Sequence, residues 1–213
     1  LKNARTCLDY YKMKPVQPNN NKPTDIIDRE KLGIKPDGSK VLAYTEYENR
    51  VQAWQSDTGT GKTTEMKNYI KAKKKRMISI VSRITLGEEQ VKVFNDDGIV
   101  TYWHKDISER NKKEGKYWGE WAGENIVITI DSLMKIKNFN VLGDYVIFLD
   151  EFNSLIKHLI TSPTLSKDRM NIWNFFKYII QQADKVVCCD ADINEISLLF
   201  LKKAIRHNEE LLY

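Results

Sequence analysis

Gln55-Ser56-Asp57-Thr58-Gly59-Thr60-Gly61-Lys62-Thr63-Thr64 stands between the apolar run Val51–Gln55 and a helical stretch over residues 62–75. Its reading decides the fold. Gly59 and Gly61 allow the backbone to curl so that consecutive amide N–H groups converge on one point. The helix opening after Gly61 adds its positive N-terminal end, which favours an anion. Lys62 supplies a mobile positive charge and the Thr63 hydroxyl a hard oxygen ligand. Together these are the parts of a loop that cradles a nucleotide triphosphate with Mg2+, built from Ser56, Asp57, Thr58, Gly59, Thr60, Gly61, Lys62, Thr63 and Thr64. The strict pattern has glycine where this chain has Ser56.

Outward from the loop, short apolar runs alternate with helical stretches. Strands are expected over residues 51–55, 77–82, 98–103, 125–130, 145–150 and 185–190, and helices over 62–75, 86–95, 151–159, 167–183 and 194–206. Met-Ile-Ser-Ile-Val and Val-Ile-Phe-Leu lack two-fold alternation, as strands covered on both faces do. Strand and helix in alternation predict an α/β domain, a mainly parallel sheet flanked by helices on both faces. Residues 105–122 break the rhythm with charges, Gly115, Gly119, Tyr117, Trp118 and Trp121, and are expected to form an excursion between strands.

Residues 1–40 hold four of the five prolines and the run Asn19-Asn20-Asn21, a composition of turns and loops. They are expected to be an N-terminal extension or linker, with the nucleotide-binding domain over residues 41–213. Leu1 in place of methionine points to a segment of a longer polypeptide. With 41% hydrophobic and 30% charged residues the chain can build a core, which argues against wholesale disorder. No apolar run reaches the ~20 residues of a membrane span, so no membrane partner is expected. Cys7, Cys188 and Cys189 form no metal-ligand spacing, and a reducing intracellular compartment is expected. The net charge of +5 suits a polyanionic partner.

A second element of the site is Tyr145-Val-Ile-Phe-Leu-Asp150-Glu151-Phe152-Asn153, an apolar strand ending in two carboxylates 88 residues beyond Lys62. Such strand ends are where open α/β sheets hold ligands. Asp150 is read as the metal residue opposite Thr63, and Glu151 as the group that orients or deprotonates an attacking water. An Asp-Glu pair alone would be a helix cap. Beside the phosphate loop the metal reading is the better one. Lys62 and Glu151 are the candidate catalytic residues.

In this series of motifs the chain resembles superfamily 2 helicases, and most of all the herpesvirus origin-binding protein group and related helicases of large DNA viruses. Ile80-Val81-Ser82-Arg83-Ile84-Thr85-Leu86 is similar to motif Ia, Ile128-Thr129-Ile130-Asp131-Ser132-Leu133 to motif Ib, and Cys189-Asp190-Ala191-Asp192-Ile193-Asn194 stands at motif III. Asp150-Glu151-Phe152-Asn153-Ser154-Leu155, continuing to Ser162-Pro163-Thr164-Leu165, looks like the group's extension of motif II. Helicase-type loops of this kind accept a small residue at the Ser56 position. The resemblance covers about residues 50–206 and implies a RecA-like ATP-binding domain, the first of two, working with ATP and Mg2+ on nucleic acid, with DNA preferred, in a host cytoplasm or nucleus if viral. It implies Ser82, Arg83 and Ser132 beside nucleic-acid phosphates, and Asp190 and Asp192 coupling the γ-phosphate to that strand. Ordinary helix capping before Asn194 is an equal reading of the two aspartates.

A second RecA-like domain would carry the arginine finger. None of its pattern occurs in this sequence, so weak nucleotide binding and slow turnover are expected of the chain alone. The basic run Lys71 to Arg76 reads as a solvated helix end, and His104, His158 and His207 as structural or exposed. Tyr102, Trp103, Trp118 and Trp121 read as core or partner-facing before base stacking. The alternative function is a nucleotide-gated scaffold of a replication complex without turnover. A phosphate-loop kinase would need an arginine lid and a substrate acid, neither of which is evident.

Overall fold

The computed structural model describes residues 33–34, 40–41, 49–207, 209 and 211–212. The expected extension over residues 1–40 therefore lies outside the described residues, apart from a two-residue ladder in which β1 (Gly33–Ile34) pairs antiparallel with β2 (Lys40–Val41).

The remaining strands form one sheet in the order β5-β6-β4-β7-β8-β3-β9. They are β3 (Val51–Gln55), β4 (Arg76–Val81), β5 (Thr101–Trp103), β6 (Asn125–Thr129), β7 (Tyr145–Asp150), β8 (Lys185–Asp190) and the two-residue β9 (Leu211–Leu212). Every pairing is parallel. The expected wound α/β sheet is present, and the six sequence-read strands occupy their places with ends shifted by three residues at most.

Alternate residues of the central strands enter two separate cores. Ile78, Ile80, Tyr145, Ile147, Leu149, Val186 and Cys188 face one side. Met77, Val146, Phe148, Val187 and Cys189 face the other. Each side is apolar because each is covered, which is why the runs showed no alternation. Helix α1 (Lys62–Lys73) brings Met66, Tyr69 and Ile70 onto the second face, and α2 (Ile84–Asp96) brings Phe94. The first face is covered by α3 (His104–Glu114), α4 (Phe152–Thr161), α5 (Arg169–Gln182) and α6 (Glu195–Ala204). In α4, Phe152, Leu155, Ile156 and Leu159 are buried, a stripe at helical spacing. Cys188 and Cys189 point to opposite faces, and burial pushes both thiols up, so they are packing residues.

One expectation is corrected. Residues 105–122 are mostly the regular crossover between β5 and β6: α3 followed by a 3-10 turn over Trp118–Trp121. Its low hydrophobicity hid it, because α3 buries only His104 and Ile107. Trp103 and Trp121 are buried, and the Trp121 indole N–H donates to Asn111 at 2.9 Å, so neither ring is free to stack on a base. The basic run ends α1 as expected, with Lys71 paired to Asp97 at 3.0 Å and Lys75 to Asp184 at 2.9 Å.

His104 is 3% exposed, with Nε2 3.3 Å from the Thr129 hydroxyl and Nδ1 without a partner among the described residues. Burial, then Lys135 and Lys105, push its pKa down from 6.5 to about 4, with Asp131 opposing. Below pH 6.5 the unfolded chain therefore binds a proton that the folded chain refuses. The stability held in this group is complete above pH 6.5 and is lost as pH falls toward 4. From pH 7 to 5 the loss is expected to be about 2 kcal/mol, seen as a falling urea midpoint that is largely absent in His104→Gln.

Candidate nucleotide and catalytic cleft

Because the strands are parallel, their carboxyl ends share one edge, and β4, β7, β8 and β3 are consecutive there. Register places Gln55 beside Asp190 and Asp150 beside Cys189. Above this edge lies a cleft of about 660 Å³ lined by Thr58, Gly59, Gly61, Lys62, Thr63, Thr64, Arg83, Asp150, Glu151, Ser154, Asp190 and Ala191. It sits where open α/β sheets receive ligands.

The loop is held in a curl by its own side chains. The Thr60 hydroxyl donates to the Asp57 carbonyl at 2.8 Å and so accepts from the Ser56 hydroxyl at 2.8 Å. This gives Ser56 a function that glycine could not perform. Gly59 and Gly61 have φ of 79° and 93°, the left-handed region that strains any side-chain-bearing residue. Lys62 Nζ donates to the Ser56 carbonyl at 2.6 Å and the Asp57 carbonyl at 2.9 Å. Gly61 caps α1 without any side-chain bond, leaving the helix N-terminus open toward the cleft.

Asp150 accepts from the Gln90 amide at 3.0 Å and from the Glu151 backbone N–H at 3.0 Å. Burial raises its pKa. The Gln90 and Glu151 hydrogen bonds and the Lys62 charge oppose that rise, and the Glu151 charge adds to it. Gln90 is 3% exposed and is itself fixed by the Ser79 hydroxyl at 2.6 Å. It is a site residue that the sequence reading missed. The only signal was an amide on the sheet-facing side of α2.

Glu151 adopts φ 50° and ψ 53° as the N-cap of α4. A non-glycine residue there costs roughly 1–2 kcal/mol. This turn redirects the chain from β7 into α4 and places the carboxylate in the cleft, where it pairs with Arg83. Strain of this sort collects at functional sites. The pair is exposed, with side chains 59% and 36% accessible. Arg83→Gln is therefore expected to cost less than about 1 kcal/mol of stability, checked by urea unfolding.

The residues implied as nucleic-acid contacts follow the adjacent strands β4 and β6, whose last register pair is Val81 with Thr129. Arg83 lies in the cleft against Glu151. Ser82 is 8% exposed and its hydroxyl is buried without a hydrogen-bond partner among the described residues. Ser132 is half-buried on the 3-10 helix Ile130–Ile136 and does not line the cleft.

Asp190 does cap a helix, but not the one after Asn194. Its carboxylate accepts from Asn153 N at 2.7 Å in the first turn of α4 and from Ala191 N at 2.8 Å. Asn194 itself caps α6, accepting from Ser197 N at 2.9 Å. Asn153 ties the two loops further, donating to the Asp192 carbonyl and accepting from Asn194 N at 3.2 Å. Gln55 accepts from Ile193 N at 3.1 Å and the Ser56 N–H reaches the Asp190 carbonyl at 3.1 Å. The ends of β3, β7 and β8 are thus tied to one another by hydrogen bonds. The Asp192 side chain is exposed.

Among the described residues no three His, Cys, Asp or Glu side chains converge on a point. Within the cleft, the Thr63 hydroxyl and the Asp150 carboxylate form a sparse oxygen donor set. It suits a small hard cation held by one carboxylate, one hydroxyl, water and phosphate oxygens.

Comparison with known proteins agrees with this architecture. A protein of Acanthamoeba polyphaga mimivirus, described as an uncharacterized helicase candidate, is 29% identical over 161 residues, covering 70% of this chain and 14% of that protein. The chain thus spans about one seventh of that relative. Mss116p with its NTE and C-tail deleted, solved bound to ssRNA and AMP-PNP, superposes with a TM-score of 0.50 at 15% identity, over 99% of this chain and 42% of that one. That likeness shows the fold, which is RecA-like. A second Mss116 structure, the DEAD-box helicase with ssRNA and UDP-BeF, has a TM-score of 0.48 at 16% identity over 78% of this chain and 36% of that one. The family model described as origin of replication binding protein matches residues 40–211. A helicase-like domain with its phosphate loop, acidic pair and tied strand ends along one sheet edge, this chain belongs to the origin of replication binding protein family.

Proposed function

We propose that this chain is the ATP-binding and hydrolysing motor domain of a superfamily 2 DNA helicase or translocase. The observation that carries the reading is convergence: Lys62, Thr63, Asp150 and Glu151 all line one cleft, although 88 residues separate Lys62 from Asp150.

The loop amides from Thr58 to Thr64 and the open end of α1 receive the triphosphate, and Lys62 exchanges its carbonyl partners for phosphate oxygens. Mg2+ would be held by Thr63 and Asp150 and would neutralise charge on the phosphates. The buried Asp150 carboxyl, raised by desolvation, is a group that a cation stabilises in its charged form. Glu151 positions the attacking water and takes its proton. To do so its carboxylate must be free of Arg83. A strand phosphate that draws Arg83 away would release the base, joining nucleic-acid binding to turnover. Asp190 ties the cleft to α4 and the loop before α6, a rigid link through which a change at the γ-phosphate is felt.

DNA is favoured over RNA by the family's origin-binding description. A second RecA-like domain in the complete protein would close the cleft and add an arginine finger, as the mimivirus relative's much greater length allows. The test is steady-state phosphate release with and without single-stranded DNA. DNA-stimulated release is expected. Nucleotide binding with no release under any condition would instead favour a nucleotide-gated scaffold.

A further inference from the structure

Helix α2 packs on the sheet through a buried stripe of Gly87, Gln90 and Phe94, spaced by three and four residues. Gln90 occupies a place in that stripe where packing calls for an apolar side chain. Beneath α2, strand β4 carries the fully buried Ser79 between Met77 and Val81, its neighbours on the same face. These two polar residues meet in the core: the Ser79 hydroxyl donates to Gln90 Oε1 at 2.6 Å. Register sets Ser79 beside Phe148 of β7, and Asp150 is the next residue of β7 on that face. There Gln90 Nε2 donates to Asp150 Oδ2 at 3.0 Å.

Packing does not account for this chain of contacts. A buried hydroxyl and amide cost free energy unless they are bonded, and an apolar pair of similar shape would join α2 to β4 about as well. The contacts also have a direction. An ionised Asp150 can only accept, so Gln90 turns its NH2 toward it and its oxygen toward Ser79. Ser79 thus fixes which end of the amide faces the carboxylate. The other carboxylate oxygen, Oδ1, accepts from Glu151 N at 3.0 Å. The plane of the Asp150 carboxylate is therefore held at both oxygens. Asp150 lines the cleft and Gln90 does not, so Gln90 can act on a ligand there only through Asp150.

We infer that Gln90, oriented by Ser79, is the positioning residue that sets the Asp150 carboxylate for the cation of a bound nucleotide. An outer partner of this kind removes the freedom that a ligating group would otherwise lose on binding, and is commonly worth 10- to 100-fold, in order of magnitude, in metal affinity. The inference rests on the nucleotide reading proposed above, and its test separates the two.

A non-hydrolysable ATP analogue is titrated by calorimetry against the full chain, once with Mg2+ and once with EDTA. Wild type is expected to bind more tightly with Mg2+. In Ser79→Ala/Gln90→Leu, which replaces the polar pair by an apolar one, the Mg2+-dependent gain is expected to fall roughly tenfold or more, with the affinity in EDTA within about threefold of wild type. Ser79→Ala alone is expected to lower the gain roughly fivefold, the worth of about one hydrogen bond, and carries the test if the double variant fails to fold. Equal weakening with and without Mg2+ would mean a loosened fold and overturns the positioning role. An undiminished gain in the variants overturns it too and leaves the motor reading standing. Wild-type binding that Mg2+ does not tighten overturns both this inference and the metal role of Asp150. A wild-type chain that binds no nucleotide under either condition overturns the nucleotide reading with it.

Discussion

Glu151→Gln is expected to slow ATP turnover roughly 10²- to 10⁴-fold, the range general-base catalysis supplies, while nucleotide affinity stays within about threefold of wild type. Glutamine is isosteric and carries the same backbone cost at φ 50°, so the turn into α4 has no added reason to change. Its amide oxygen can still accept from Arg83, so the cleft wall is preserved. What disappears is the basic oxygen that takes the proton from water. The Glu151 charge also raises the Asp150 pKa, so its removal should slightly help Asp150 ionise and hold a cation. Binding and turnover therefore separate. A labelled nucleotide titrated against both proteins, with phosphate release in saturating single-stranded DNA, measures the split. Turnover surviving in the variant would place water activation on another group.

Lys62→Ala is expected to weaken nucleotide binding roughly 10- to 10²-fold, the worth of one or two charge-assisted hydrogen bonds. The effect has two sources. The ammonium is the one cation delivered by the loop itself, and no neighbouring lysine lines the cleft to replace it. It also braces the loop from within, through the Ser56 and Asp57 carbonyls. Without that brace the curl loses preorganisation and the amides must be gathered at binding. Lys62→Arg is expected to recover little, since a planar fork does not reproduce a compact ammonium between two carbonyls. Titration calorimetry with a non-hydrolysable nucleotide checks both variants. An alanine variant that binds as well as wild type would mean the triphosphate lies elsewhere.

Two of these side chains, Lys62 and Glu151, were legible before any coordinates, and so was most of the sheet. Local chemistry explains that. Gly59 and Gly61 are glycines because of the dihedrals they adopt, and Val146-Ile147-Phe148-Leu149 is apolar throughout because both faces of β7 are covered. Backbone conformation and two-sided burial are written into consecutive residues, so a short window suffices to read them. Helix α3 escaped for the opposite reason: it rests on the sheet through Ile107 and His104 and turns most of its surface to water, so no apolar period marks it.

The partners of the site residues could not be read from any window. Arg83 and Glu151 are 68 positions apart, Gln90 and Asp150 are 60 apart, and Asn153 and Asp190 are 37 apart. Each pair meets because parallel strands in the order β4-β7-β8-β3 bring distant carboxyl ends to one edge, and strand order leaves no local trace in the chain. The primary sequence thus specified the identity of the phosphate loop, the acidic pair and the class of fold, all of which depend on near neighbours. Folding alone determined that Arg83 pairs with the Glu151 carboxylate and that Gln90 braces Asp150, because contacts across a sheet are set by topology and not by spacing.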